Sequence, residues 1–306
     1  VLLFYAKAVP FKMLPFDNKP EFSVVLDMPE GTALGTTINT ARLLAEKVQE
    51  IPEVVAIQTY AGTAKPFDFN GMVRHYYLRS KPWQGEVQVQ LTHKRDRQRT
   101  SHEIAVQARE LLTPLAREAG ARITVVEMPP GPPVLQAVVA EIYGPDGSTR
   151  RQVAADMTRL FEQVDSLADV DNYMQEPHEV LRFEVDAEKA VRLGIAVDTV
   201  IRNLDMALGG FKAGDVKRGS LLEPTFILIE VPLAVRANLS RLADLPVPSA
   251  TGETVPLSEL GRFVKQPADP IVYHKDLRPV EYVVGDAVGK LGAPLYPMLA
   301  VEELLK

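Results

Sequence analysis

The chain of 306 residues carries a formal net charge of −6 and contains no cysteine. Its length allows two or three compact units with a sizeable core. The acidic balance argues against a nucleic-acid-binding protein, which needs clustered Lys and Arg. The lack of thiols excludes disulfides, thiolate metal sites and cysteine nucleophiles.

The first residues of the chain, "VLLFYAKAVPF", are strongly apolar. No stretch reaches the roughly 18 to 20 apolar residues that cross a bilayer. We interpret residues 1–17 as the stub of a membrane helix and the segment that leads out of it. A buried first strand is the alternative interpretation.

Residues 18–135 alternate between strand and helix patterns in the order β-α-β-β-α-β. Strands are predicted at residues 21–27, 54–62, 86–93 and 121–130, where apolar and polar residues alternate. The second helix should begin with Ser101 as its N-cap and end at Gly120. The first helix should bury one apolar face, formed by Leu34, Ile38, Leu43, Leu44 and Val48. This order is that of the split βαβ or ferredoxin-like unit.

The same order begins again after residue 135 and is then interrupted. A strand, a helix and a strand occupy residues 136–178, and the pattern resumes over residues 264–306 with a strand and a helix. The expected last strand would follow Lys306, so we expect a truncated unit. Residues 179–263 form an inserted α+β lobe with its own helices and hairpin. The predicted fold class is therefore α+β, with two ferredoxin-like subdomains, the second interrupted by the lobe.

The sequence carries no motif for covalent chemistry. It contains no phosphate-binding glycine loop and no zinc spacing, and its five histidines are scattered. Asp186 and Glu188 could imitate a carboxylate pair, but acids are common at a solvated helix start. We therefore expect binding and mechanical roles, no enzyme activity, no metal site and no cofactor.

The most unusual stretch is "TYAGTAKPFDFNGMVRHYYLRSKPW", residues 59–83. It is long for a connection between strands, and long loops of this kind are usually functional. Adaptable aromatic and Met side chains suit a permissive apolar pocket. The alternative is a loop that folds back onto the core. The aromatic and Met residues concerned are Tyr60, Phe67, Phe69, Met72, Tyr76, Tyr77 and Trp83.

Three motifs in order resemble one known family. They are "KMLPFDNKPEFSVVLDMPEGT", "FEVDAEKAVRLGIAVDTVIRNLDMALGG" and "TGETVPLSEL". The chain is similar, from about residue 12 to about residue 289, to the second large periplasmic loop of the acriflavine-resistance type (AcrB-like) multidrug efflux pumps. These pumps form part of the resistance-nodulation-division (RND) superfamily.

The resemblance implies a fold, a location and partners. The subunits of that family form a proton-driven trimer in the bacterial inner membrane, and the second loop holds two porter subdomains and a docking lobe. This chain would then be a periplasmic portion of such a pump, acting on small amphiphilic molecules. A periplasmic adaptor protein and an outer-membrane channel would be its partners.

The resemblance also implies site residues. The switch loop of the family maps onto residues 61–72, and the docking tip onto Thr251, Gly252 and Glu253. The implied substrate contacts in the switch loop and deep pocket are Ile57, Thr59, Tyr60, Phe67, Phe69 and Met72.

Two alternatives stay open at this point. The first alternative is an RND exporter of Cu(I) or Ag(I), because thioethers bind soft metals. The candidate ligands would be Met28, Met72 and Met128. A soluble ligand-binding protein built from tandem ferredoxin-like units is the other, because that fold carries many functions.

Overall fold

The computed structural model describes residues 18–127, 135–217, 219, 222–288 and 293–306. One compact unit holds the described residues up to His178 and those from Asp269 onward, and the other spans Glu179–Ala268. The predicted bounds of the inserted lobe are 179–263. Residues 1–17, interpreted above as a membrane-helix stub, lie outside the described residues. No helix in the described ranges is long and apolar enough to span a bilayer.

The first subdomain is a four-stranded antiparallel sheet with two long helices on one face. Strand order is β2-β3-β1-β4, and Val24 of β1 lies opposite Val87 of β3 and Val125 of β4. Its elements are β1 Glu21–Asp27, α1 Leu34–Val48, β2 Val54–Ala61, α2 Phe69–Val73, a 3-10 turn Tyr76–Leu78, β3 Gln84–Leu91, α3 Ser101–Glu118 and β4 Arg122–Glu127. This topology follows the predicted ferredoxin-like order.

Alternation along the strands builds the first core. Phe22, Val24 and Leu26 of β1 point to the helices and are at most 2% exposed. Leu44 of α1 and Leu112 of α3 meet them in the same cluster. The residues between them, such as Ser23, point to the opposite face of the sheet, which the helices leave uncovered.

Two details of the helices differ from the prediction. Leu34, Ile38 and Leu43 of α1 are 41–43% exposed, while the small residues Thr37 and Ala41 are buried. Leu44 and Val48 are buried as predicted, so the helix packs on the sheet through a mixture of large and small side chains.

The N-cap of α3 is also not the predicted one. The N-cap is Thr100 and not Ser101. The Thr100 side chain accepts a hydrogen bond from Glu103 N, and the Glu103 carboxylate accepts one from Thr100 N. This reciprocal capping box satisfies two donors at the helix start.

The second subdomain begins with β5 Val138–Ile142, α4 Gly147–Glu162 and β6 Leu167–Asn172. Its chain then leaves for the second compact unit. That unit comprises β7 Glu179–Val185, α5 Ala187–Arg192, α6 Val197–Gly209, β8 Phe211–Val216, β9 Thr225–Ile229, α7 Leu233–Arg236, α8 Leu239–Ala243, β10 Pro246–Pro248, β11 Thr254–Pro256, α9 Leu257–Leu260 and β12 Gly261–Pro267.

The second unit has a small core of its own. Ile195, Val247, Leu257 and Leu260 are buried together. Asp186, considered above as half of a carboxylate pair, caps α5 by accepting from Lys189 N. This confirms its interpretation as a helix start.

The second subdomain resumes with β13 Tyr273–Lys275, β14 Arg278–Ala287 and α10 Leu295–Leu304. β14 is the central strand: it pairs antiparallel with β5, β6 and β13. The register between β14 and β6 shifts by one residue between Val284 and Asp286. Asp169 of β6 lies at this bulge with a left-handed φ of 51°, a conformation that turns a side chain out of its regular position.

We predict that Gly261→Ala destabilises the second unit. A Cβ at this position would lie 2.9 Å from the Phe183 ring and inside van der Waals distance of Glu184 O. Overpacking of this kind costs about 1–3 kcal/mol. Amide hydrogen exchange in β7 and β12 should accelerate. The control is Gly35→Ala, whose Cβ would meet nothing within 4 Å. Unchanged exchange in Gly261→Ala would contradict the prediction.

Candidate functional site

The connection between β2 and β3, residues 62–83, is named here the aromatic segment. It begins at Gly62, whose φ is +67° and where a Cβ would lie 2.8 Å from Leu34 Cδ1. The positive φ and the close approach both favour glycine. The segment then forms α2 and the 3-10 turn, so it has more local structure than the loop predicted from the sequence.

Lys65 attaches the start of the aromatic segment to the helix-free face of the first sheet. Its ammonium lies 2.9 Å from Glu86 Oε1 and 2.8 Å from Asp68 Oδ2, and donates to Ser23 Oγ at 2.9 Å. The contact with Ser23 is a hydrogen bond, and those with Asp68 and Glu86 are ion pairs. The Glu86 side chain is only 2% exposed, so Lys65 supplies the charge that allows this carboxylate to be buried.

Arg79 attaches the end of the same segment to the first sheet. It binds both carboxylate oxygens of Asp27, at 2.8 and 3.3 Å, and donates to Leu26 O at 2.7 Å. Bidentate pairing of this kind fixes direction as well as distance. The guanidinium also lies over the Tyr76 ring, 5.8 Å from its centroid.

Arg74 attaches the middle of the segment to the second subdomain. It donates to Gln136 Oε1 at 2.6 Å and lies 3.5 Å from Asp286 Oδ2. Asp286, near the end of β14, also accepts from Ala137 N at 3.1 Å. The aromatic segment is therefore held at three points by three buried cations, and it bridges two subdomains.

Phe67, Phe69 and Tyr77 of the segment remain exposed between these attachments, whereas Trp83 packs against the first core. Phe67 and Phe69 are 68% and 60% exposed, and Leu78 is 64% exposed. Phe67 and Tyr77 meet edge to face with ring centroids 6.0 Å apart. Large apolar side chains that are exposed next to one another are a feature of binding surfaces.

A second aromatic cluster lies in the second subdomain. The rings of Tyr173, Tyr273 and Tyr282 have centroids 5.6–6.3 Å apart. Burial raises the pKa of Tyr173, and the nearby Tyr76 hydroxyl raises it further.

The other implied pocket residues divide between the two faces of β2. Ile57 lies opposite Val89 and packs against the first core, and Thr59 lies opposite Val87 on the same face. Tyr60 lies opposite Glu86 on the other face and donates to Gln58 Oε1 at 2.7 Å. The structure thus separates Ile57 and Thr59 from Tyr60, while Phe67, Phe69 and Met72 lie together on the aromatic segment.

The implied docking tip is the turn of the β10–β11 hairpin. Thr251, Gly252 and Glu253 are exposed, and Gly252 has a φ of +88°. The turn closes with Ser249 N donating to Glu253 O at 2.7 Å, and Ala250 N donates to Gly194 O at 3.0 Å. The tip is therefore attached to its own unit and presents its side chains to solvent.

Arg109 and Asp169 join the two subdomains. Asp169 accepts from Arg109 Nε at 3.1 Å and from its terminal nitrogen at 2.9 Å. The same pair binds the outward edge of β4: Asp169 accepts from Val125 N at 3.2 Å, and Arg109 donates to Val125 O at 3.1 Å. Two side chains thus satisfy the groups that another strand would have paired.

A second ionic contact lies along the same joint. Arg122 of β4 lies 3.6 Å from Asp171 Oδ1 of β6 and 3.2 Å from Glu176 Oε1. Burial raises the pKa of Asp171 to about 6, although Arg122 opposes the shift. This carboxylate therefore gains a proton at a mildly acidic pH.

Sequence reasoning missed the charged residues that hold the site together. Lys65, Arg74, Arg79, Arg109 and Asp169 do not figure among the residues predicted from the sequence. Glu86 offered one signal: it falls on the helix-free face of a predicted strand, where its burial requires a cover that carries a cation.

The AcrB/AcrD/AcrF family model matches residues 1–293. Protein HelA of Legionella pneumophila is 23% identical over 245 residues, which is 77% of this chain and 22% of that protein. Two crystal forms of a protein described as a heavy metal efflux pump superpose with a TM-score of 0.71 at 19% and 18% identity. Each superposition covers 99% of this chain and 31% of the other. The chain therefore spans less than a third of the length of these relatives. The structural similarity confirms the predicted α+β fold class.

We predict that Lys65→Met strongly destabilises the first subdomain, because it leaves the Glu86 carboxylate buried without a partner. Breaking a buried pair in this way costs about 3 kcal/mol. The double variant with Glu86→Gln should recover most of the lost free energy of unfolding, as measured by urea unfolding. Arg159→Ala, which breaks an exposed pair with Asp156, is the control and should cost less than about 1 kcal/mol. Equal effects of the two single changes would contradict the role of Lys65.

We predict that Asp171→Asn stabilises the protein at pH 7.5 and not at pH 4. The pKa of Asp171 is raised by burial to about 6 in the folded protein. The folded state therefore binds the proton more tightly than the unfolded chain, and ionisation above pH 6 costs stability, by about 1–3 kcal/mol. Arg122 keeps Glu176 as a partner in the variant. The measurement is the melting temperature of Asp171→Asn and of the unmodified protein at pH 7.5 and pH 4. An equal difference between the two proteins at both pH values would contradict this assignment.

Proposed function

The chain belongs to the AcrB/AcrD/AcrF family and has the porter fold of RND periplasmic domains. From this premise we propose that it is a periplasmic part of a proton-driven exporter of amphiphilic molecules. The observation that supports this is the aromatic segment. Its rings are held on a fixed backbone and left exposed, where they are available to apolar ligands of varied shape.

The three cationic attachments support a binding role for the segment. Lys65, Arg74 and Arg79 fix the backbone without covering the rings. A surface that is ordered before the ligand arrives loses less entropy on binding. Tyr and Phe rings contact ligands through area rather than through directed bonds, so such a surface tolerates many ligands. No covalent chemistry is part of this proposal.

The proposed assembly follows the family. The chain would work within an inner-membrane trimer, with a periplasmic adaptor and an outer-membrane channel as partners. Thr251, Gly252 and Glu253 would face the channel, because they form an exposed turn on a unit with its own core.

The second candidate is export of a soft metal ion. The relatives described as heavy metal efflux pumps favour it. Of the three methionines considered, Met28 is 4% exposed within the first core and Met72 is 38% exposed, while Met128 lies outside the described residues. Met72 is therefore the residue on which a test of metal binding should be made.

We predict that Phe67→Ala with Phe69→Ala weakens export of dyes and detergents by the full-length parent. A loss of about 1.4 kcal/mol in ligand binding is a tenfold loss of affinity, and each exposed ring can contribute that much when covered. The measurement is the susceptibility of a pump-deficient Gram-negative host that expresses the parent with its adaptor and channel.

The control is Tyr143→Ala, a partly exposed aromatic outside the segment. Full resistance to every dye in the Phe67/Phe69 variant would contradict the role of the segment. Protection limited to copper or silver, together with Cu(I) binding that is lost in Met72→Leu, would favour the metal exporter instead.

A further inference from the structure

A small cavity lies beside the joint between the two subdomains. It has a volume of about 40 Å³ and lies where the end of β4 meets the end of β14. Five charged or polar residues line it, Arg74, His102, Arg109, Glu127 and Asp286, together with the apolar Val125, Ala287 and Val288. Such a lining needs a partner for every buried donor and acceptor.

Most of these groups already have partners. Arg109 is paired with Asp169, Asp286 accepts from Ala137 N, and His102 Nδ1 lies 2.9 Å from Glu127 Oε1. Two atoms are different: Arg74 Nε and Glu127 Oε2 are buried and make no hydrogen bond with any of the residues that the structure describes. The Glu127 side chain is 7% exposed and that of Arg74 10%.

The two atoms have opposite requirements. Arg74 Nε carries a hydrogen and needs an acceptor, while Glu127 Oε2 is a carboxylate oxygen and needs a donor. A cation here would face the guanidinium groups of Arg74 and Arg109, and an anion would face the carboxylates of Glu127 and Asp286. A neutral molecule that both accepts and donates avoids both repulsions.

The cavity volume selects among such molecules. A water needs roughly 10–15 Å³ of space and two to four polar partners, and a volume of about 40 Å³ has room for a small number of waters. We propose that this cavity is a binding site for an ordered water, which accepts from Arg74 Nε and donates to Glu127 Oε2.

The water site extends the attachment of the aromatic segment. Arg74 reaches Asp286 of the second subdomain directly, and the water joins it to β4 of the first subdomain as well. A bridging water holds two groups nearly as well as a direct hydrogen bond. The site would thus fix the direction of the Arg74 side chain at the point where segment, first sheet and second sheet meet. The proposal does not depend on which molecule is exported.

The test combines a crystal structure of this chain with a double-mutant cycle. Density for a water within hydrogen-bond distance of both atoms is the expected result. Arg74→Lys keeps the charge and removes the Nε donor, and Glu127→Met keeps the length and removes the acceptor. Each single change should lower the melting temperature by about 2–4 °C. Because both lose the same water, the double variant should lose clearly less than the sum.

A matched control uses the neighbouring attachment. Arg79→Lys with Glu127→Met should be additive, because Arg79 belongs to the same segment but does not line the cavity. Additive effects for Arg74→Lys with Glu127→Met, or ordered side chains around a cavity without density, would overturn the proposal. An anomalous bromide or rubidium peak in the cavity would also overturn it, in favour of an ion site.

Discussion

The joint between the two subdomains depends on one constraint, that the outer edge of a strand must find partners for its backbone groups. At Val125 of β4, these partners are the Asp169 carboxylate and the Arg109 guanidinium. A bulge in β6 places Asp169 there, in a left-handed conformation that a regular strand would not give. The two sheets are thereby connected without becoming one sheet. The contacts around this pair, between Arg122 and Asp171 and between Arg74 and Asp286, are ionic too. A joint of this kind suits subdomains that move, since polar groups can exchange protein partners for water.

Under the proposed function, the aromatic segment separates two tasks that often conflict. Its cations bind the scaffold, and the exposed Phe67 and Phe69 rings would contact the ligand. If Phe67 or Phe69 served as the anchor, the same side chain could not also contact a ligand. The ion pair of Lys65 and Glu86 attaches the segment through buried charge and not through the aromatic rings. Loss of either partner would leave the other charge buried without compensation. The Tyr173, Tyr273 and Tyr282 rings form a separate aromatic cluster in the second subdomain.

The sequence predicted the fold well where the signal was local. The repeated order of strands and helices follows from alternation over a few residues, and it allowed the ferredoxin-like units and the inserted lobe to be predicted. It failed at α1, where Leu34, Ile38 and Leu43 were assigned to the core. Thr37 and Ala41 are buried beside the correctly predicted Leu44 and Val48, because the buried face of the helix is rotated relative to the predicted one. The role of the predicted site residues stays a prediction: the rings of Phe67 and Phe69 are exposed, Ile57 and Thr59 face the helices, and the attachments through Arg79 and Lys65 were not predicted.

The amino-acid order by itself determined the class of fold, the repeated units, the position of the insertion and the aromatic character of the segment, since each of these depends on neighbours along the chain. Only the tertiary structure decided which charges meet. Arg109 and Asp169 are 60 residues apart and Arg74 and Asp286 are 212 apart, and no local pattern distinguishes such residues from solvated charges. Their pairing is set by the strand register, the bulge at Asp169 and the burial that makes an unpaired charge too costly to keep.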